Sequence, residues 1–149
     1  MNPLELSGLE LVQAMVEGTF AHPSMADTIP MRATEAARGH VTFTVRADKR
    51  HLNPLGGVHG GFAATVLDSV TGCAVHTMLD VGVGYGTVDL NVKMLKAVPL
   101  DRELTAEGRV IHLSRSFGVS EGSIRDEQGT LFAHATATCA ILPLRTPGA

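Results

Sequence analysis

The sequence contains little cysteine and has no excess of positive charge. Its two cysteines, Cys73 and Cys139, stand far apart in apolar runs, which favours two reduced core thiols over a disulfide or a metal site. Lysine and arginine together number 12 against 15 aspartate and glutamate residues, and the formal net charge is -3. Nucleic-acid-binding proteins normally carry a basic face, so this charge balance argues against that class.

Signals for export, membrane insertion and a second domain are also missing. Residues 1–6 lack the basic and apolar regions of a signal peptide. The longest apolar stretch, Phe62 to Leu79, contains Asp68 and His76, and either side chain is costly at the centre of a bilayer. We therefore expect a buried helix there and a cytoplasmic protein. No linker, low-complexity tract or internal repeat occurs, so we expect all 149 residues to form one domain.

Motifs for metal or nucleotide chemistry are absent from the sequence as well. Apart from His59, the histidines show no paired ligand spacing; they are His22, His40, His51, His76, His112 and His134. No phosphate-cradling loop and no nucleophile elbow is present. We expect neither a metal nor a cofactor.

Hydrophobic periodicity predicts the elements of the first third of the chain. Apolar residues at helical spacing predict a short amphipathic helix over about residues 6–18, which ends at a glycine. Residues 31–36 and the alternating Val41, Phe43 and Val45 then predict two half-buried strands.

The remaining chain is predicted as one loop, one long helix and four strands. Residues 51–58 hold two glycines and a proline and predict a loop, while residues 60–79 predict a proline-free apolar helix. Alternation then predicts strands over about residues 87–94, 103–113, 117–124 and 131–141. In the first, Val88 is expected to share a face with Leu90, with Thr87 on the opposite face.

This order of elements predicts an α+β fold in which one antiparallel sheet wraps around one central helix. Short connections are expected to join neighbouring antiparallel strands. The last strand supports the arrangement because one of its faces is small enough to seat a helix; that face carries Ala133, Ala135, Ala137 and Cys139.

The central helix carries a single polar stripe. Spacings of four, three, four and four residues place its members on one helical face; they are Gly61, Thr65, Asp68, Gly72 and His76. Burying an unpaired carboxylate is costly and aspartate is a mediocre residue inside a helix, so Asp68 is predicted to serve chemistry. The alternative is an Asp68 that lies on an exposed corner or pairs with a basic group.

A His59-Gly60-Gly61 sequence stands at the start of this helix. A helix N-terminus presents unpaired N–H groups, and glycines there let another group approach closely. An oxygen that gains negative charge during a reaction needs such donors. Taken alone, however, the three residues are also typical of an ordinary turn.

Residues 53–61, Asn-Pro-Leu-Gly-Gly-Val-His-Gly-Gly, followed by Asp68 in a long apolar helix, resemble the hotdog thioesterases of the phenylacetate-pathway and 4-hydroxybenzoyl-CoA type. The similarity extends over roughly Val41 to Leu142. It implies the hotdog fold and hydrolysis of an acyl-CoA substrate to free acid and CoA, without a cofactor. It also implies a homodimer, which the small polar stripe independently favours, and such dimers are expected to pair into tetramers.

The resemblance also implies roles for individual residues. The Gly60 amide and the Asn53 side chain would polarise the thioester carbonyl. Asp68 of the other subunit would activate water or attack the carbonyl directly, and Thr87 would assist that water. His59 would mainly brace the loop.

Further substrate contacts are expected from two regions. The predicted hairpin corresponds to the family's binding segment for pantetheine and nucleotide; it contributes His112, Ser114, Arg115, Ser116 and Phe117. There Arg115 either pairs with a phosphate or remains a solvated turn residue. Other contacts to the substrate or to CoA are expected from Gly61, Gly72, Tyr85 and Met94.

Two other functions remain open from the sequence. A hotdog hydratase or dehydratase would act on the same class of thioester, but the His-Phe-Pro signature of those enzymes is missing. A non-catalytic acyl-CoA-binding domain is the second alternative, and an exposed or ion-paired Asp68 would favour it.

Overall fold

Three helical segments precede the sheet in the computed structural model, which describes residues 1–145. A short 3-10 turn, Pro3–Glu5, leads into helix α1, Gly8–Glu17. A capping box starts α1, because Ser7 Oγ accepts from the Glu10 N–H while the Glu10 carboxylate accepts from the Ser7 N–H at 2.8 Å. The helix stops at Gly18 with a φ of 78°, as predicted. A one-turn helix, α2 (Met25–Thr28), lies between α1 and the first strand.

Six strands within residues 1–145 form one fully antiparallel sheet. They are β1 (Met31–Ala37), β2 (His40–Arg46), β3 (Val83–Met94), β4 (Glu103–Leu113), β5 (Phe117–Arg125) and β6 (Leu131–Pro143). Their spatial order is β1-β2-β4-β5-β6-β3. The predicted strands are confirmed, but β3 lies at the sheet edge beside β6 and not beside β4. The expectation that each short connection joins neighbours is therefore wrong for β3 and β4.

The long helix α3, Gly60–His76, packs on one face of this sheet. It ends three residues earlier than predicted, because Met78 and Leu79 donate to carbonyls three residues back instead of four. The Leu79 carbonyl in turn accepts the first amide of α1, from Gly8, at 3.0 Å. This contact ties the end of α3 to the N-terminal helix.

Small residues on the sheet let α3 approach closely. A Cβ at Gly108 on β4 would collide with the Val70 carbonyl of α3, so backbone meets backbone there. The predicted small face of β6 is buried against the helix, with Ala135 and Cys139 both 0% exposed. The apolar side of α3 is buried with it, including Phe62, which is 2% exposed.

A bulge in β3 reverses its alternation. Thr87 pairs with Cys139 and Asp89 pairs with Thr138, which leaves Val88 as an extra residue. Thr87 consequently lies on the same side as Leu90, and Val88 faces outward with 63% exposure. The predicted faces for Val88 and Thr87 are wrong, because the prediction assumed strict alternation along β3 and a bulge adds one residue to that strand.

Three further properties concern residues 1–145. None of the helices in this range combines the length and apolarity needed to cross a bilayer. The same residues contain no group of three or more histidine, cysteine, aspartate or glutamate side chains arranged to hold a metal ion. Cys73 and Cys139 are both free thiols, as predicted.

Candidate active site

The loop before α3 is organised by the side chain of Asn53. Its Oδ1 accepts hydrogen bonds from the N–H groups of Leu55, at 2.9 Å, and Gly57, at 3.2 Å. Its backbone N–H donates to the Gly57 carbonyl at 2.7 Å. The Nδ2 amide of Asn53 donates to no group within the described part of the chain. Asn53 thus holds the turn through its oxygen and keeps its nitrogen free as a donor.

His59 caps the N-terminus of α3. Its Nδ1 accepts from the Gly61 N–H at 2.8 Å, so in the neutral ring the proton resides on Nε2. This bond occupies the Gly61 amide, which is therefore not a donor to substrate. The Gly60 N–H, in contrast, meets no acceptor among residues 1–145. Of the two glycines, only Gly60 offers a free amide at the positive end of the helix.

Met94 lies directly over Gly60. A Cβ at Gly60 would stand 2.5 Å from the Met94 sulfur, so the exposed Met94 side chain would have to move to admit it. A cavity of about 250 Å³ opens here, between His59 and the segment that follows β3. Gly60 and Met94, both expected near the substrate, therefore border one opening.

Asp68 is exposed in this chain. Its carboxylate forms neither a hydrogen bond nor an ion pair with any other described residue. The expectation of a buried carboxylate is wrong for the single chain, because α3 buries only the side that meets the sheet. The structure instead shows the alternative considered from sequence, in which Asp68 lies on an exposed corner.

The Asp68 side chain borders a second cavity of about 200 Å³, together with Thr87, Tyr85 and Cys73. The ring of Tyr85 covers Gly72, where a Cβ would stand 2.8 Å from it. Burial and the negative charge of Asp68 raise the pKa of Cys73 to about 12, and burial likewise raises the pKa of Tyr85. Both side chains are therefore neutral near pH 7, and Asp68 is the one carboxylate at this opening.

Gly60 and Asp68 do not meet within one chain. Eight residues of α3 separate them, which corresponds to about 12 Å along the helix axis at 1.5 Å per residue. Reacting groups must lie about 3–3.5 Å apart. A single chain therefore cannot place its own Gly60 amide and its own Asp68 on one thioester.

The β4–β5 hairpin lies at the far end of α3. Ser114 and Phe117 close it, with the Ser114 N–H donating to the Phe117 carbonyl at 2.8 Å. A Cβ at Gly118, the next residue, would contact Val75 near the end of α3. The three hairpin residues His112, Arg115 and Ser116 are exposed. Within one chain the hairpin is not brought together with Gly60.

Several residues around Asp68 were not predicted from sequence. Met15, His22, Met25 and Met31 line the second cavity from the N-terminal segment, and no local pattern marks them. Ser69 and Cys73 also line it. These two are four residues apart on α3, so extending the polar stripe by one position would have found them.

Comparison with known proteins identifies the family. Residues 55–133, more than half of the chain, match the family model of the thioesterase superfamily. The chain belongs to this superfamily. Its fold is the hotdog fold, as the sequence resemblance implied.

Three similar proteins illustrate the match. A candidate esterase of Halobacterium salinarum is 37% identical over 83 residues, and the match spans only about half of that protein, 54% of each chain. A candidate thioesterase of Ralstonia eutropha, described as related to phenylacetic acid degradation, is 28% identical with a TM-score of 0.79, covering 87% of this chain and 98% of the other. A hypothetical thioesterase of Streptococcus pneumoniae, solved with coenzyme A, is 28% identical with a TM-score of 0.70, covering 78% and 88%.

Proposed function

We propose that this protein hydrolyses an acyl-CoA thioester to a free acid and CoA, in a site shared by two copies of the chain. The observation that carries the proposal is the separation of about 12 Å between Gly60 and Asp68 on one helix. A free amide donor and an unpaired carboxylate are the two groups that thioester hydrolysis needs. The similar S. pneumoniae protein that holds coenzyme A supports the choice of substrate.

The edge of the sheet supports a dimer. Strand β3 has 12 residues and lies at one edge, with the exposed apolar side chain of Val88 on it. The opposite edge, β1, is shielded by α1, where Gln13 donates to the Ala36 carbonyl at 3.3 Å. A long unshielded edge strand is a template for pairing with another chain. A two-fold axis between two copies of β3 would also set their α3 helices antiparallel, which displaces Asp68 of one toward Gly60 of the other.

In this arrangement the residues take complementary parts. The Gly60 N–H and Asn53 Nδ2 of one subunit bind the thioester oxygen as it gains negative charge. Asp68 of the other subunit either takes a proton from water, which adds to the carbonyl carbon, or attacks that carbon itself. In both cases the carbon–sulfur bond breaks and CoA leaves as its thiolate. After direct attack, water then hydrolyses the mixed anhydride between Asp68 and the acyl group, which releases the free acid and restores the carboxylate. Thr87 borders the same cavity as Asp68 and is assigned to orient the water.

The hairpin is assigned to CoA in the same dimer. Asp68 and Val75 are seven residues apart on α3, about 10 Å along the axis. If Asp68 of one subunit lies near the partner's Gly60, the hairpin beside Val75 of that same subunit therefore lies near this site as well. Arg115 on this turn is exposed and forms no ion pair with the described residues, so its guanidinium is available to a phosphate.

One observation favours a second function. The exposed, unpaired Asp68 is what a non-catalytic acyl-CoA-binding domain would also show. Such a domain would bind CoA thioesters without releasing CoA. Release of free thiol from an acyl-CoA panel therefore separates it from the hydrolase.

Mixed dimers test the shared site directly. Asp68→Asn and Asn53→Ala subunits are each expected to be nearly inactive alone. Random mixing makes half of the dimers mixed, each with one intact site of two, so roughly a quarter of wild-type activity should return. A site contained within one subunit would recover nothing on mixing, and that result would overturn the proposal. Asp80→Asn mixed with Asn53→Ala is the matched control, and this mixture should retain half of wild-type activity whether or not subunits exchange.

A further inference from the structure

The cavity beside Asp68 has one closed end and one open end. The closed end is formed by Met15, Met31 and Phe43, which are 9%, 8% and 4% exposed. Asp68 and Met25 lie at the open end, where Met25 is 52% exposed. A ligand group that entered past Asp68 would therefore contact the methionine and phenylalanine side chains of the closed end.

The interior of this cavity is nearly free of charge. Asp68 is the one residue of charged type that lines it. His22 also lines it, and its Nε2 accepts from the Ala33 N–H at 2.9 Å. Burial and then the charge of Arg32 lower the pKa of His22, which keeps the ring neutral near pH 7. An anionic tail would find no cation here and would pass the Asp68 carboxylate on entry.

We propose that this cavity is the acyl pocket and that it selects uncharged acyl groups about the size of one aromatic ring. This inference rests on the proposed function, which puts the thioester carbonyl beside Asp68. The cavity measures about 200 Å³. A cavity of about 150 Å³ holds benzene, whereas pockets for larger ligands measure roughly 300–1,000 Å³. Methionine sulfur also makes favourable contacts with aromatic rings.

The N-terminal segment sets the size of the pocket. Met15 on α1, Met25 on α2 and Met31 on β1 all precede residues 55–133, the range that matches the family model. The catalytic groups and the wall that selects the acyl group thus come from different parts of the chain. Selectivity should therefore change through Met15 or Met31 while Asp68 and Gly60 stay intact.

Two measurements on one ligand series test this pocket. The series comprises benzoyl-CoA, hexanoyl-CoA, dodecanoyl-CoA and succinyl-CoA. For hydrolysis we expect kcat/KM for benzoyl-CoA and hexanoyl-CoA, the two compact uncharged thioesters, to exceed kcat/KM for the other two by at least about tenfold. The dissociation constants of the matching thioether analogues, which cannot be hydrolysed, should follow the same order.

Two variants locate the selecting wall. Met15→Ala and Met31→Ala each remove a side chain from the end of the pocket. Each should raise kcat/KM and binding affinity for the dodecanoyl compound, relative to the benzoyl compound, by about tenfold or more. Met78→Ala deletes the same side chain away from the cavity and should leave the ratio unchanged. If either pocket variant fails to fold, the other still reports on the wall.

The outcomes separate this inference from the proposed function. A preference for dodecanoyl-CoA that Met15→Ala and Met31→Ala leave unchanged would overturn the pocket while hydrolysis stands. Analogue binding in the expected order without any CoA release would support the pocket and refute hydrolysis. Absence of both binding and hydrolysis would refute both.

Discussion

Replacing Asp68 with asparagine is the most direct test of the proposed chemistry. The amide has nearly the same shape as the carboxylate but cannot accept a proton from water. General base catalysis contributes about 10²–10⁴-fold, so kcat should fall by that factor. At about 1.4 kcal/mol per tenfold, the loss corresponds to roughly 3–6 kcal/mol of transition-state stabilisation. The loss should be larger still if Asp68 is the nucleophile.

KM and stability should change little in the same variant. Substrate binding is assigned to Gly60, the hairpin and the acyl pocket, all of which remain. Asp68 is exposed and has no partner among residues 1–145, so no interaction of the folded chain is lost. Surface substitutions of this kind usually stay within about 0.5 kcal/mol.

The assay follows free CoA with a thiol reagent and records the melting curve of the same sample. Asp80→Asn is the matched control, because Asp80 is also exposed and lies beyond the end of α3. A rate within about threefold of wild type, far short of the loss expected for a missing general base, would refute the catalytic assignment. A marked drop in Tm with only a modest loss of rate would instead assign Asp68 a structural role.

Three more predictions concern the other groups of the site. Asn53→Asp keeps the oxygen that holds the turn but removes the Nδ2 donor, so kcat should fall about 10²–10³-fold without a drop in Tm; an unchanged kcat would exclude Asn53 from the mechanism. Gly60→Ala places a Cβ 2.5 Å from the Met94 sulfur and displaces this exposed side chain at the opening, so it should lower the rate of CoA release. Adding Met94→Ala to Gly60→Ala should restore more of the activity than adding Met78→Ala. Equal recovery in the two double variants would show that the contact between Met94 and residue 60 does not limit activity. Val88→Lys puts a charge on the outer edge of β3 and should shift sedimentation toward monomer with a parallel loss of activity. A fully active Val88→Lys monomer at micromolar concentration would contradict the shared site.

Local patterns determined most of the elements and one part of the site. Strands β4 and β6 follow from alternation within each segment, and β4 spans the predicted residues Glu103–Leu113. The cap at His59 is local as well, since its Nδ1 bonds an amide only two residues away. Interactions that span a few residues are encoded in those residues, so a sequence pattern reveals them.

The tertiary structure alone decided where these parts lie relative to one another. The place of β3 beside β6, the bulge at Val88 and the exposure of Asp68 all depend on segments distant in sequence. So does the cavity that Met15 and Met31 line together with Asp68. The stripe on α3 pointed to Asp68 as a candidate, but it did not indicate that a single chain keeps Asp68 apart from Gly60. Periodicity reports which face a residue occupies, whereas packing between elements decides what that face meets.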